Sequence, residues 1–399
     1  MTSHLNAQTN LKKLQFGAKK CHKMHIGKNN VLCNHSSIDT WTLEKPSETI
    51  KSDMELIDKE GDTHELELVG SDTYLGDVIQ TNGKNDLNIK ARTEKGHGAV
   101  NQIVKLLEEL CLGPYYYQAA NVLRNSLLLS SLLSNSESWY NLTQKDVINL
   151  ESIDEILLRK IFSSPSTTPK ELLYLESGNI PIRFCIMARR LNFLWYILNE
   201  EEHTLIKQFF NAQINNPVKN DWVSTVQKDL QDLDIKMNLE EISVMSKVTF
   251  KELVKSKVKS KALEYLQKLQ QKHSKSINLH FESLELQEYL KPEGNMTIQM
   301  KAFVFSLRSR MVDVKCNYKV GKTDLKCRKC LIVDEDQEHL LNCVALSDNS
   351  VISSDIPSYQ DLFTNDKLKI KSIGQILHAK FILLSKPCAQ FSSAAVNTS

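Results

Sequence analysis

The sequence predicts a mainly α fold, with a short β region at the N-terminus, a helical bundle, and a helical C-terminal region around a small Cys/His knuckle. Three observations predict it. Before residue 80, apolar and polar residues alternate in short runs, the period of a half-buried strand. From residue 87 onward apolar residues recur every three to four positions, the period of a helix face. Near the end stands a Cys-x2-Cys-x8-His-x3-Cys set: Cys327, Cys330, His339 and Cys343.

Taken in order, the first 34 residues are basic and mixed and read as a helix followed by a strand near Met24–Ile26. A stretch rich in Glu, Asp, Ser and Lys reads as a polar excursion around the strand Glu65–Val69, which alternates cleanly. Tyr74–Ile79 reads as one further strand, closed by the turn dipeptide Asn82-Gly83. Leu87–Leu112 then carries Ile89, Val100, Ile103, Val104, Leu107 and Leu110 at helical spacing and stops at Gly113-Pro114. Tyr115–Leu133 predicts a second helix, and Thr143 starts a third whose apolar face includes Val147, Leu150, Ile153, Leu157 and Ile161. Glu171–Leu175 and Pro181–Leu198 follow beyond Pro165 and Pro169, completing a bundle in which Trp139, Tyr140, Trp195 and Trp222 read as core anchors. Three amphipathic segments are predicted over Asn215–His273; in the last, lysines decorate a stripe of Phe250, Val254, Val258 and Leu266. Asn295–Val314 reads as another helix, and the small polar residues from about Ala389 read as disordered.

The knuckle is where residue type and spacing carry chemistry. Two cysteines two residues apart aim two sulfurs at one ion across a tight turn, while His339 and Cys343 lie four apart and share a helix face. Three thiolates and one imidazole close a tetrahedral shell, so the expected cofactor is structural zinc. Leu331 and Ile332 follow the second cysteine where a glycine would ease the turn. An acidic run, Asp334, Glu335 and Asp336, comes next.

Composition narrows the classes. The 399 residues suffice for two or three domains, and a formal net charge of +2 argues neither for nor against a polyanionic partner. Nine cysteines, an odd number, without a leader-like N-terminus suit a reducing, intracellular compartment, with nucleus and cytoplasm equally open. No apolar run is long enough to span a bilayer, so no membrane partner is expected. There is no Walker-type loop, no His-Glu-x-x-His, no Gly-x-Ser-x-Gly and no adjacent Asp pair.

Several stretches resemble the reverse transcriptases of non-LTR retrotransposons, the jockey-like and other long interspersed elements. Phe16 to Lys28 looks like the segment downstream of the polymerase catalytic turn, with Lys20 matching a lysine near the incoming nucleotide. Tyr74-Leu75-Gly76-Asp77 resembles the Tyr-Leu-Gly signature between palm and thumb. Asn88–Arg92, Leu123–Leu127, Glu137–Tyr140, Asp154-Glu155, Leu158–Lys160, Pro169–Glu176 and Ile180–Arg183 resemble the helical thumb, and the Cys3His set resembles the tail knuckle. The resemblance divides the chain into a palm remnant (1–85), a thumb-like bundle (86–214), a basic connector (215–300) and a knuckle region (301–399).

It begins after the point where the family carries its catalytic aspartates, which implies a chain that is not by itself an enzyme. It implies binding of RNA or an RNA–DNA duplex, and of target DNA, through Arg92, Lys95, Arg124, Arg159, Lys160, Arg183, Arg189 and Arg190. Apart from the resemblance, the density of lysines beside the Phe250–Leu266 stripe marks Lys255 and Lys259 as further phosphate contacts. Mg2+ would enter only if another chain supplied a palm in trans. The contrasting expectation is a helical scaffold or relic without useful nucleic-acid affinity, in which the arginines pair with acids inside the bundle. Neither expectation sets an oligomeric state.

Overall fold

The computed structural model describes residues 69–385, except 75, 81, 273–278, 295, 319–323 and 347–357, together with short strand segments between His22 and Leu68. The expectations for Lys20, for the N-terminal helix and for the tail beyond residue 388 lie outside the described residues. The fold is mainly α with a short β region.

Among the described residues eight short strands pair two by two. β1 (His22–Lys23) runs parallel to β6 (Glu67–Leu68); β2 (Leu32–Ser37) and β3 (Thr40–Glu44), and β4 (Glu55–Ile57) and β5 (Thr63–Glu65), are antiparallel. β7 (Ser71–Tyr74) and β8 (Asp77–Gln80) form a hairpin with Tyr74 opposite Asp77. The run expected to be a single strand is therefore folded back on itself. Gly76, at φ +88°, takes the left-handed conformation that the turn demands. Tyr74 ends up beside this turn and is 66% exposed.

The helices follow the apolar period closely. α1 (Asp86–Glu109) buries Ile89, Val100, Ile103 and Leu107. α2 (Tyr116–Leu123) continues through a π-helical turn, Arg124–Leu128, into α3 (Leu129–Leu132). α4 (Gln144–Ile161) starts at a capping box in which the Thr143 hydroxyl accepts from the Asp146 N–H and the Asp146 side chain accepts from the Thr143 N–H. α5 (Lys170–Ser177) ends at Gly178, where φ is +69° and a Cβ would sit 2.3 Å from the Glu285 backbone. α6 (Ile182–Leu198) crosses the bundle. α7 (Leu205–Asn215), absent from the sequence expectations, precedes α8 (Trp222–Asp232), α9 (Leu239–Val244) and α10 (Lys247–Gln270).

Of the expected aromatic anchors, Trp139 is buried. Trp195 and Trp222 are half-buried, and their indole N–H groups donate to the Met245 and Glu137 carbonyls.

α10 buries Phe250, Val254, Val258, Ala262, Leu266 and Gln270, every fourth residue. Each such step advances about 40° around the axis, so the buried stripe winds rather than running straight. α10 lies antiparallel to α6, with Lys247 over the Trp195 ring at one end and Arg183 over the Tyr265 ring at the other.

α11 (Ile298–Arg308), α12 (Gln337–Asn342) and α13 (Lys367–Ser385) complete the described helices. One continuous core includes Ile89 of α1, Val254 of α10, Cys327 of the knuckle and Leu377 of α13. Two cations pin the C-terminal part to the bundle. Arg308 pairs with Glu176 at 2.7 Å, both fully buried, and also donates to the Leu362 carbonyl. Lys301 donates to the carbonyls of Pro114, Leu290 and Lys291. Among the described residues no helix is long and apolar enough to cross a membrane.

Candidate metal centre and basic surface

The knuckle folds on backbone bonds. The Cys327 N–H donates to the Val333 carbonyl and the Leu331 N–H returns to the Cys327 carbonyl, closing the turn between the first two ligands. Leu331 bears the strain of that turn at φ +60°, the left-handed region that a glycine would occupy without penalty. The acidic run turns out to be scaffolding. Asp336 caps α12 by accepting from the His339 N–H at 2.6 Å. Glu335 is fully buried and accepts from the Arg328 guanidinium and from the N–H groups of Lys315 and Arg328. Burial alone would raise the Glu335 pKa; the bonds from Arg328 and Lys315 outweigh it and hold the carboxyl below its usual value.

Cys327, Cys330, His339 and Cys343 come together, with one donor atom from each within 4.8 Å of all the others. Cys327 Sγ lies 4.0 Å from Cys343 Sγ, and Cys330 Sγ lies 3.3 Å from His339 Nε2. With zinc–sulfur bonds of about 2.3 Å, a tetrahedral shell needs neighbouring sulfurs roughly 3.8 Å apart, so this donor set fits one zinc ion. The thiols are unlike. Backbone N–H groups of Val333 and Ile332 push Cys330 down to about 6, whereas burial pushes Cys343 up to about 11. The cluster is also docked: Gln337 of α12 donates to the Leu307 carbonyl of α11 and accepts from the Tyr359 hydroxyl.

The residues expected to hold nucleic acid divide sharply. Arg124 is buried in a two-pronged pair with Asp154, at 2.6 and 2.5 Å, and also donates to Asn179 and the Ile180 carbonyl. Arg190 grips Asp229 in the same way and reaches the Trp139 carbonyl; Arg92 is buried against Asp77. These three guanidinium groups lie inside the fold, because a buried charge demands a partner. Arg183 is half-buried on Glu151, Arg159 donates to the Thr168 carbonyl, and Arg189 donates to the Leu133 carbonyl. Lys95, Lys160 and Lys255 are exposed, and Lys259 is half-exposed with Glu285 at 3.7 Å.

The two α10 lysines belong to a longer row. Lys247, Lys251, Lys255 and Lys259 recur every fourth residue beside the buried stripe. Among the described residues no carboxylate stands within 4.0 Å of the first three. Such a row is about 18 Å long. Like charges at i,i+4 each destabilise a helix by about 0.2–0.5 kcal/mol, so three successive pairs oppose helix formation by about 1 kcal/mol. Lys247 and Lys251 stand outside the expected set. Their signal is the strict spacing of four, not the lysine density.

No protein-family model, no curated protein and no solved structure matches this chain.

Proposed function

We propose that this chain is a non-catalytic, nucleic-acid-binding piece of a retroelement polymerase of the non-LTR kind. It would hold RNA or an RNA–DNA duplex along α10, with one structural zinc ion ordering its C-terminal region. The observation that carries the reading is the row Lys247, Lys251, Lys255 and Lys259, which winds along α10 beside the buried stripe with its first three lysines exposed and Lys259 half-exposed. A duplex strand presents one phosphate per ~3.4 Å of axis, so a ridge of about 18 Å meets several of them. Recognition is electrostatic and indifferent to base sequence. The Cys3His cluster supports the tail assignment: zinc there would tie the knuckle turn to α12, and through Gln337 to α11.

Fluorescence anisotropy with a labelled RNA–DNA hybrid tests the reading. The expected result is saturable binding that reversing Lys251 and Lys255 to glutamate abolishes while helix content is retained. Equal binding by native and reversed proteins would refute the ridge. A helical scaffold without nucleic-acid affinity is the second reading. It is favoured by the burial of Arg92, Arg124 and Arg190 in ion pairs and by the net charge of +2. Absence of binding at low salt by the zinc-loaded native chain would select it.

A further inference from the structure

A cleft of about 390 Å3 opens between the β7–β8 hairpin, the start of α1 and the segment 135–140. No residue of α10 lines it, so it stands apart from the lysine row. Trp139 lines the cleft and is 2% exposed, yet its indole N–H finds no acceptor among the described residues. Native folds leave few buried donors unmet, and each asks for an explanation. Asn88 lines the cleft as well and is also buried. Its Oδ1 accepts from the Val78 N–H at 3.2 Å, which fixes the orientation of the amide and leaves the Nδ2 donors without a partner among the described residues. Two further amides are held in the opposite sense. Asn85 Nδ2 donates to the Tyr140 carbonyl at 2.8 Å, and Gln80 Nε2 donates to Asp86 and to the Lys84 carbonyl, so each keeps its oxygen as an acceptor.

The cleft therefore carries donors at Trp139 and Asn88 and acceptors at Asn85 and Gln80, all set in place by the fold itself. Aromatic rings flank them. Tyr140 is half-buried with its hydroxyl against Gly83, where a Cβ would stand 3.3 Å away, and Tyr74 is 66% exposed. A sugar offers hydroxyls but no flat face, and an apolar ligand would leave the amides unmet. An unpaired nucleobase offers both a π-face for a ring and an edge that sets donors beside acceptors. The volume lies in the range of small-molecule sites, and Lys84, an exposed lining residue, suits a phosphate on the attached sugar. We propose that this cleft binds one unpaired nucleobase that carries a phosphate, as a free nucleotide or as an unstacked residue of a single strand. Trp139 and Asn88 donate to its edge, and Tyr74 stacks on its face. The site goes beyond the α10 reading, which a duplex satisfies without it.

Isothermal titration calorimetry of the full-length protein tests this, with the four nucleoside 5′-monophosphates and with ribose 5-phosphate, which keeps sugar and phosphate but lacks the base. The expected result is saturable one-to-one binding of at least one monophosphate and none of ribose 5-phosphate. Tyr74→Ala, at an exposed position, should weaken that binding about five- to 150-fold, the range for losing a base–aromatic stack. Trp139→Phe keeps an aromatic ring and the backbone carbonyl that accepts from Arg190 while removing the indole N–H; it should weaken binding about two- to tenfold. Circular dichroism checks the fold of both variants, and if Trp139→Phe unfolds, Tyr74→Ala decides alone. A trinucleotide that binds more tightly than the monophosphate, and loses that binding in Tyr74→Ala, identifies the ligand as a base within a strand. One that binds no more tightly identifies a free nucleotide, and either result upholds the cleft. Ribose 5-phosphate binding as tightly as the nucleotides would overturn the proposal, because the site would then read phosphate alone. Native affinity in either folded variant, or no binding by any probe, would overturn it too. None of these results bears on the α10 row, which the duplex titration decides separately.

Discussion

Replacing Asp154 with asparagine separates a structural Arg124 from a nucleic-acid-binding one. Arg124 and Asp154 are 2% and 0% exposed at their side chains, and the guanidinium sends two of its bonds, at 2.6 and 2.5 Å, to the two carboxylate oxygens. Burial alone would lower the Arg124 pKa; the charge of Asp154 and the bond to it reverse the effect and raise it, so the arginine stays charged. Asp154→Asn leaves that charge buried with only neutral acceptors: the new amide oxygen, Asn125, Asn179 and the Ile180 carbonyl. Breaking one side of such a pair costs about 3–5 kcal/mol. Native stabilities are about 5–15 kcal/mol, so a large share is lost, visible as a fall in melting temperature on the order of 10 °C. Thermal and urea denaturation followed by circular dichroism measure it. Replacing both partners together, Arg124→Met with Asp154→Leu, should recover most of the loss, since no charge is left unpaired. A single variant within 1 kcal/mol of native stability would refute the reasoning and return Arg124 to the set of surface contacts.

Three further outcomes are expected. Leu331→Gly should stabilise the loaded knuckle by about 1 kcal/mol by relieving a left-handed leucine, read as slower zinc loss to excess chelator; faster loss would contradict this. Glu335→Gln should destabilise the C-terminal region by about 1.5–3 kcal/mol at neutral pH. The folded pKa of Glu335 lies below its unfolded value, so its stabilisation is complete above the unfolded value, and the gap between variant and native should close as pH falls through the folded pKa. A gap that widens on acidification would reverse the assignment. Chelating zinc, or changing Cys343 to serine, should lower hydrogen-exchange protection in α12 and the Gln337–Leu307 contact while leaving α4 and its Asp154 pair protected; loss of protection in α4 would show that the metal holds the whole core.

What the sequence disclosed follows from how local each signal is. The knuckle was readable because its four ligands fall within seventeen positions, and α4 because Thr143 and Asp146 cap it three residues apart. α10 was readable because its buried residues recur every fourth position. α7 was passed over although Leu205, Ile206, Phe209, Phe210 and Ile214 recur at helical spacing; the structure buries Phe210 of that stripe with Lys207 and leaves Leu205 and Phe209 exposed. The hairpin at Gly76 was missed because an unbroken β-type run conceals a two-residue turn. The arginines were left open between nucleic acid and acids of the bundle for the opposite reason to the knuckle. Arg124 meets Asp154 at a separation of 30 residues and Arg190 meets Asp229 at 39, distances at which no spacing rule operates. An arginine read alone looks like a surface cation; its burial is decided by a carboxylate elsewhere in the chain.

The measurement that bears most directly on the central claim is the salt dependence of hybrid binding by the zinc-loaded native chain. Four lysines that each neutralise one phosphate should give a slope of log affinity against log salt of about −3 to −4. Reversal of Lys251 and Lys255 should flatten that slope by about 2 or more. A salt-independent affinity, or a steep slope that survives the reversal, would contradict a lysine ridge as the nucleic-acid surface of this protein.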